Sequence, residues 1–253
     1  MKLGLEGRTA LVLGASKGLG AAIAQTLAAE GATVIGAART VEAIEKLGNN
    51  ISGLSLDLTD PASVQAFIDG VLADGGADIL INNSGGPAPG EASALPAEDY
   101  TKAFNTMAAP LIAITQALLP GMRAKKWGRI ITLTSSGVEA PLPRLALSNS
   151  IRQALVGWSK TLAGEVAADN VTANIIVQGR IHTTRVDELD AAAAKRLGKS
   201  IEDIKAQSIA TIPAGRYGRP EELADVVAFI ASERASYITG SLIRVDGGMI
   251  RSI

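Results

Sequence analysis

The sequence predicts a single α/β domain built on a doubly wound parallel sheet of about seven strands, with helices on both faces. Three observations predict it. Short β-branched or aliphatic runs alternate with longer helical patterns along all 253 residues, the order that joins parallel strands by crossover helices. The strands read as near-continuous apolar runs, so both faces of the sheet are covered. No linker, repeat or low-complexity tract divides the chain, and one α/β domain commonly reaches this length.

Taken in order, 9–13 reads as a strand and 19–30 as an Ala-rich helix closed by Gly31. A strand over 33–37 and a short helix over 41–47 follow, then a strand over 51–56. Thr59-Asp60-Pro61 starts a helix with proline in its first turn. The fourth strand is 79–81, and a long helical pattern over 96–122 leads to the fifth at 130–133. A helix over 149–168 precedes a strand at 172–177, and a helix over 220–231 with a strand over 241–245 closes the chain. Between them, about 179–214 is irregular and holds helical patterns over 186–197 and 200–208, the second opened by a Ser200…Asp203 cap pair. An insertion after a late strand of an open α/β sheet lies over the ligand crevice, so this segment is expected to be a helical lid.

Apolar residues at 47% and charged residues at 19% suit a large core. A net charge of −1 gives no global field for nucleic acid or an anionic membrane. The basic cluster Arg123, Lys125, Lys126 and Arg129 around Trp127 reads as a solvated helix end entering a strand. With no cysteine, disulfides, a thiol nucleophile and cysteine-ligated zinc are excluded, and no metal centre is expected. The N-terminus lacks a signal-like apolar region, and Pro110, Thr115 and Gln116 interrupt the most apolar stretch. A cytoplasmic protein is expected.

The first strand runs into Gly14-Ala15-Ser16-Lys17-Gly18-Leu19-Gly20 and then a helix. Glycines at such a turn let the backbone approach a pyrophosphate, which meets the free N–H groups and positive dipole end of the helix. The fold expected is therefore of Rossmann type. An NAD site usually carries Asp or Glu at the end of the second strand. Here Ala37-Ala38-Arg39-Thr40 offers Arg39, with Lys17 nearby. Two cations and no carboxylate suit a ribose 2′-phosphate, which arginine can clamp bidentately, so NADP(H) is expected over NAD(H).

These motifs resemble the short-chain dehydrogenase/reductase family, close to its bacterial 3-oxoacyl-carrier-protein reductases, over nearly the whole chain. The resemblance rests on the glycine motif, Leu56-Asp57-Leu58, Asn82-Asn83-Ser84-Gly85, the strand leading to Ser135, and Gly157 with Lys160-Thr161-Leu162-Ala163. It rests also on Gly218-Arg219-Pro220-Glu221-Glu222, Ser236-Tyr237-Ile238-Thr239-Gly240 and Val245-Asp246-Gly247-Gly248. It implies that Asp57 and Leu58 contact adenine, that Asn83, Ser84 and Gly85 line the cofactor groove, and that Thr183 meets the nicotinamide carboxamide. It also implies a homotetramer or homodimer and a small-molecule substrate. The Pro-Gly of the family's nicotinamide pocket is here Gln178-Gly179.

The family's catalytic set is an acid–base tyrosine, a lysine four residues later, a serine about thirteen residues earlier and an asparagine on the preceding helix. The resemblance places Ser135 on the serine, Ser148 on the tyrosine, Arg152 on the lysine and Met107, two residues after Asn105, on the asparagine. A phenol near pKa 10 is brought towards neutrality by a nearby cation, whereas a serine hydroxyl is far less acidic and shorter. Arg152 can hold the ribose and supply charge but does not titrate usefully. His182, the only histidine, precedes Thr183 and is a candidate acid–base group. Ser136 and Ser150 can hold a substrate oxygen or a relay water. Arg144, Arg180 and Arg185 lie around the expected mouth as candidate anion contacts, and Tyr100, Tyr217 and Tyr237 read as structural. The expected function is an NADP(H)-dependent oxidoreductase for a carbonyl or alcohol. The alternatives are a non-catalytic NADP(H)-binding sensor or assembly partner, and non-redox chemistry in the same pocket.

Overall fold

The computed structural model describes residues 2–253. The strands are β1 (Thr9–Leu13), β2 (Thr33–Ala38), β3 (Ile51–Ser55), β4 (Ile79–Asn82), β5 (Gly128–Leu133), β6 (Val171–Gln178) and β7 (Leu242–Val245). The helices are α1 (Gly18–Ala29), α2 (Pro61–Ala73), α3 (Ala97–Met107), α4 (Ala109–Ala124), α5 (Ala146–Val166), α6 (Thr184–Leu197), α7 (Ile201–Ala210) and α8 (Pro220–Ile230). All seven strands are parallel, in the order β3-β2-β1-β4-β5-β6-β7. The chain order reverses between β1 and β4, and an open sheet of this kind binds ligands beyond the C-terminal ends of the strands at that point.

Alternation along the strands makes two cores. Ala10, Val12, Ile79, Ile81, Ile131 and Leu133 face one side and pack with α1 and α8. Leu11, Leu13, Leu80 and Ile130 face the other and pack with α2, α3, α4 and α5. Each aliphatic chain buried this way contributes about 1.5–3 kcal/mol, while the polar side chains buried in the strands, among them Asn82, Thr132 and Asn174, make hydrogen bonds within the sheet layer or are otherwise enclosed there. Local signals set the helix ends. The Asp60 carboxylate accepts from Ala62 N at 3.0 Å before Pro61–Ala73, and Ser200 Oγ accepts from Asp203 N at 3.0 Å before α7.

Four expectations change. The segment 41–47 is not a helix but a run of turns, because Val41 and Ile44 fill the spaces left by two strand glycines. A Cβ on Gly53 would lie 2.5 Å from Val41, and one on Gly36 2.6 Å from Ile44. The pattern over 96–122 is two helices broken at Ala108, since Pro110 lacks an N–H and its ring clashes with the carbonyl four residues back. The run Ala97–Ala124 does reach the length and hydropathy of a membrane-spanning segment, but it is bent there and buries Met107, Leu111, Ile114, Leu118 and Met122 in the second core. Arg129 is fully buried, its guanidinium over the Trp127 ring at 4.4 Å and bonded to the Gly128 and Asn170 carbonyls. Of that basic cluster only Arg123, Lys125 and Lys126 are solvated, paired with Asp169 and Asp78. Tyr237, read as structural, lies before β7 with its side chain fully exposed.

Candidate active site

The glycine turn sits where the sheet topology puts the crevice. Gly14 and Ala15 donate to the Ala37 carbonyl at 2.8 and 3.2 Å, tying the turn to the end of β2. Asn83 Nδ2 donates to the Leu13 carbonyl at 3.1 Å, tying it to the loop after β4. Gly14 and Gly18 hold φ of +66° and +59°, which side chains adopt at a cost. Gly20 is required by contact instead, since a Cβ there would meet the Gly14 carbonyl oxygen at 2.2 Å. Ser16 and Leu19 lie half-buried in the turn. Lys17 precedes α1 with extended backbone and gives no side-chain cap, so no side chain covers the first-turn N–H groups.

Arg39 and Lys17 are exposed, and neither forms an ion pair among the described residues. Asp57 holds its carboxylate on the Thr59 N–H at 2.9 Å and the Thr59 hydroxyl at 2.7 Å. Those bonds, with a smaller contribution from the Arg39 charge, hold its pKa below the usual carboxylate value. Leu58 is half-buried beside it.

At the other end of the crevice, Arg152 is buried on α5 and donates to the Leu133 carbonyl at 2.9 Å and the Ser84 carbonyl at 3.4 Å. Loss of water pulls its pKa down to about 10, so it stays charged at neutral pH. Ser84 Oγ is buried without a partner, and Gly85 is exposed beside it. Ser135 Oγ accepts from Gly137 N at 3.3 Å, which leaves its proton free to donate. Ser148 lies half-buried in the first turn of α5, one helical turn before Arg152. Met107 is buried in the second core and Asn105 is exposed. Thr183 packs against the glycine turn, its methyl 3.6 Å from where a Gly18 Cβ would lie. The turn glycines and the bare first turn of α1 form a cradle, and the Ser84 hydroxyl is buried and orphaned in the loop after β4. Together these residues fit a dinucleotide.

The segment that carries α6 and α7 is tied down by polar contacts. The buried Asp190 carboxylate accepts from Arg180 at 2.8 Å and from the Tyr217 hydroxyl at 2.8 Å. Burial pushes the Tyr217 phenol up, the opposite of what an acid–base tyrosine needs. Arg144 pairs with Glu91 at 2.6 Å, and Arg185 donates to the Pro87 carbonyl at 3.4 Å, so α6 touches the loop after β4. The His182 ring is 60% exposed, 3.3 Å from the Asp187 carboxylate of α6.

Residues 14–250 match the family model described as enoyl-(acyl carrier protein) reductase, of the short-chain alcohol dehydrogenase C2 type. The chain belongs to the short-chain dehydrogenase/reductase family. It is 38% identical to the 3-oxoacyl-[acyl-carrier-protein] reductase FabG of Escherichia coli strain K12, covering 98% of this chain and 99% of that one. Among solved structures, L-sorbose reductase from Gluconobacter frateurii, complexed with NADPH and L-sorbose, superposes with a TM-score of 0.93 at 33% identity over 100% of both chains. YwfH, an NADPH-dependent reductase involved in bacilysin biosynthesis, superposes with a TM-score of 0.92 at 30% identity over 97% of this chain and 99% of that one. The protein is thus a short-chain dehydrogenase/reductase-type oxidoreductase.

Sequence reasoning gave no sign of two structural features of this short-chain dehydrogenase/reductase. One is Gln178, whose buried Oε1 has no partner. The register Leu133↔Ile176 places it beside Ser135 if extended by two residues. The other is the Arg180–Asp190–Tyr217 cluster, which removes Arg180 and Tyr217 from the list of free polar groups. Neither carries a local sequence signal, because both depend on pairings across the lid and the strand ends.

Proposed function

We propose that this short-chain dehydrogenase/reductase uses NADP(H) to interconvert a carbonyl and an alcohol, with an atypical catalytic set. The observation that carries the cofactor reading is the pair of unpaired cations, Lys17 and Arg39, flanking a glycine turn with no carboxylate at the end of β2. Gly14, Ser16, Lys17, Gly18, Leu19 and Gly20 would hold the phosphates, and Asp57 and Leu58 the adenine. Asn83, Ser84, Gly85, Arg152 and Thr183 would hold the nicotinamide half. The printed descriptions of the sorbose reductase and YwfH, both NADPH proteins, support the same cofactor.

When bound, NADPH supplies hydride. The chain's own part is to hold the substrate oxygen on the Ser135 hydroxyl, to offset charge gathering there with Arg152, and to admit a proton. By the family resemblance Ser148 replaces the acid–base tyrosine. The proton then comes from water ordered by Ser148, or from His182 if the lid turns its exposed ring inward. A small-molecule substrate, a cytoplasmic location and a homo-oligomer belong to this reading. Exposed Phe229, Tyr237 and Leu242 lie around the edge strand β7, where a second copy would dock.

One observation favours a second reading, a nucleotide-binding protein without turnover: of the four expected catalytic positions only Ser135 keeps its usual type. An assay of NADPH oxidation against ketones, aldehydes and acyl thioesters separates the two. Turnover with any of them, lowered at least tenfold by Ser135→Ala, supports the enzyme. Tight NADPH binding with no turnover supports the second reading. The paired change Ser148→Tyr with Arg152→Lys should raise carbonyl reduction, and His182→Gln should slow the native enzyme if that ring moves the proton.

A further inference from the structure

Arg152 is a charged group buried without a counter-charge. Its exposure is 7%, its two partners are the neutral carbonyls of Leu133 and Ser84, and no carboxylate pairs with it among the described residues. Burial alone accounts for its lowered pKa, with no charged neighbour contributing. Such a group is normally paired, because an isolated ion out of water is costly. The two carbonyls belong to the end of β5 and the loop after β4, so the charge lies at the floor of the crevice.

The identity of residue 148 is what leaves this charge uncancelled. Ser148 lies one helical turn before Arg152 on α5. A phenol there could ionise and neutralise the cation. A serine hydroxyl does not ionise in the working range, so the net charge of the pair stays at +1. The two departures from the family pattern therefore act together: one keeps the cation and the other places no ionisable group one helical turn from it.

We infer that Arg152 makes the pocket discriminate between the oxidation states of its cofactor, binding NADPH in preference to NADP⁺ and so biasing the protein towards reduction. This rests on the NADP(H) reading above. The oxidised nicotinamide ring carries a positive charge and the reduced ring is neutral, while the phosphates are the same in both. A fixed cation in the crevice floor repels only the oxidised ring. For like charges about 6 to 10 Å apart at an effective dielectric near 20, the preference is about 15-fold to 100-fold.

The test is equilibrium binding, not turnover. NADPH, NADP⁺ and 2′,5′-ADP are titrated calorimetrically into the wild-type protein and into Arg152→Lys, Arg152→Gln and Ser148→Asp. The wild type should bind NADPH at least about tenfold tighter than NADP⁺. Arg152→Lys should keep that ratio. Arg152→Gln, and Ser148→Asp by placing a carboxylate one turn away, should each reduce it to about threefold or less, with 2′,5′-ADP affinity unchanged because that fragment lacks the ring. A wild-type ratio below about threefold overturns the inference, as does a ratio that survives both neutralising changes. If Arg152→Gln does not fold, Ser148→Asp carries the decision. Failure of 2′,5′-ADP to bind at all would instead refute the NADP(H) reading.

Discussion

Replacing Gly20 with alanine should cost both stability and nucleotide binding, and the size of the effect follows from the backbone. An added Cβ would lie 2.2 Å from the Gly14 carbonyl oxygen, 2.7 Å from its carbonyl carbon and 3.1 Å from Ala15 Cα. The closest approach is more than about 1 Å inside ordinary contact, and all three atoms are main chain that β2 holds through the bonds to Ala37. Either α1 moves away from β1 or the turn opens. Moving α1 disturbs Ile23, Ala24 and Leu27, all fully buried. Overpacking usually costs about 1–3 kcal/mol, and rigid main chain puts this site at the upper end. For a domain of this size each kcal/mol lowers Tm by about 2–4 °C, so Gly20→Ala should melt about 6–12 °C below wild type and bind NADPH at least about tenfold more weakly. Gly70→Ala is the control. Gly70 lies inside α2 with nothing within 4 Å of a Cβ, so alanine should stabilise by about 0.5–1 kcal/mol through helix propensity. Thermal melts and NADPH fluorescence titrations read both. A Gly20→Ala protein with unchanged Tm and affinity would refute the close packing of turn and helix.

Two other perturbations have defined outcomes. Asp190→Ala removes the buried acceptor shared by Arg180 and Tyr217. Because Arg180 is partly exposed and can reach water, the loss should be about 1–3 kcal/mol rather than the full cost of an unpaired buried ion, with faster proteolysis within 184–210. Glu222 accepts from Arg216 at 2.6 and 2.8 Å and from Arg219 N at 2.7 Å, and the Arg216 bonds chiefly hold its pKa down from 4.5 to about 2. A depressed carboxylate stabilises above its unfolded value and loses that contribution as pH falls through the folded one. The Tm gap between wild type and Glu222→Gln should therefore be constant above about pH 5 and shrink between 4.5 and about 2.

Most of the fold was legible because it rests on local signals repeated many times: apolar runs of strand length, a glycine turn at one strand end, and caps such as Asp60 and Ser200. The segment 41–47 was misread because its periodicity suits a helix, while Val41 and Ile44 serve as plugs over Gly53 and Gly36. Arg129 was misread because a charge in a strand normally faces water. Here the Trp127 ring and the carbonyls of Gly128 and Asn170 solvate it. The glycine turn after β1 was legible because Gly14 to Gly20 form one continuous motif. The catalytic end was legible only as residue types. The burial of Arg152, the orphaned Gln178 oxygen and the lid anchor on Asp190 arise from contacts between segments far apart in sequence.

The central claim, that a phosphorylated dinucleotide is held between the glycine turn and Arg39, is tested most directly by comparing NADPH and NADH affinities in the wild type and in Arg39→Ala. Charge-assisted hydrogen bonds contribute about 1.5–3 kcal/mol. The wild type should therefore favour NADPH by about tenfold or more, and Arg39→Ala should remove most of that preference while leaving NADH binding unchanged. Equal affinity of the wild type for the two nucleotides, or a preference untouched by Arg39→Ala, would contradict the account.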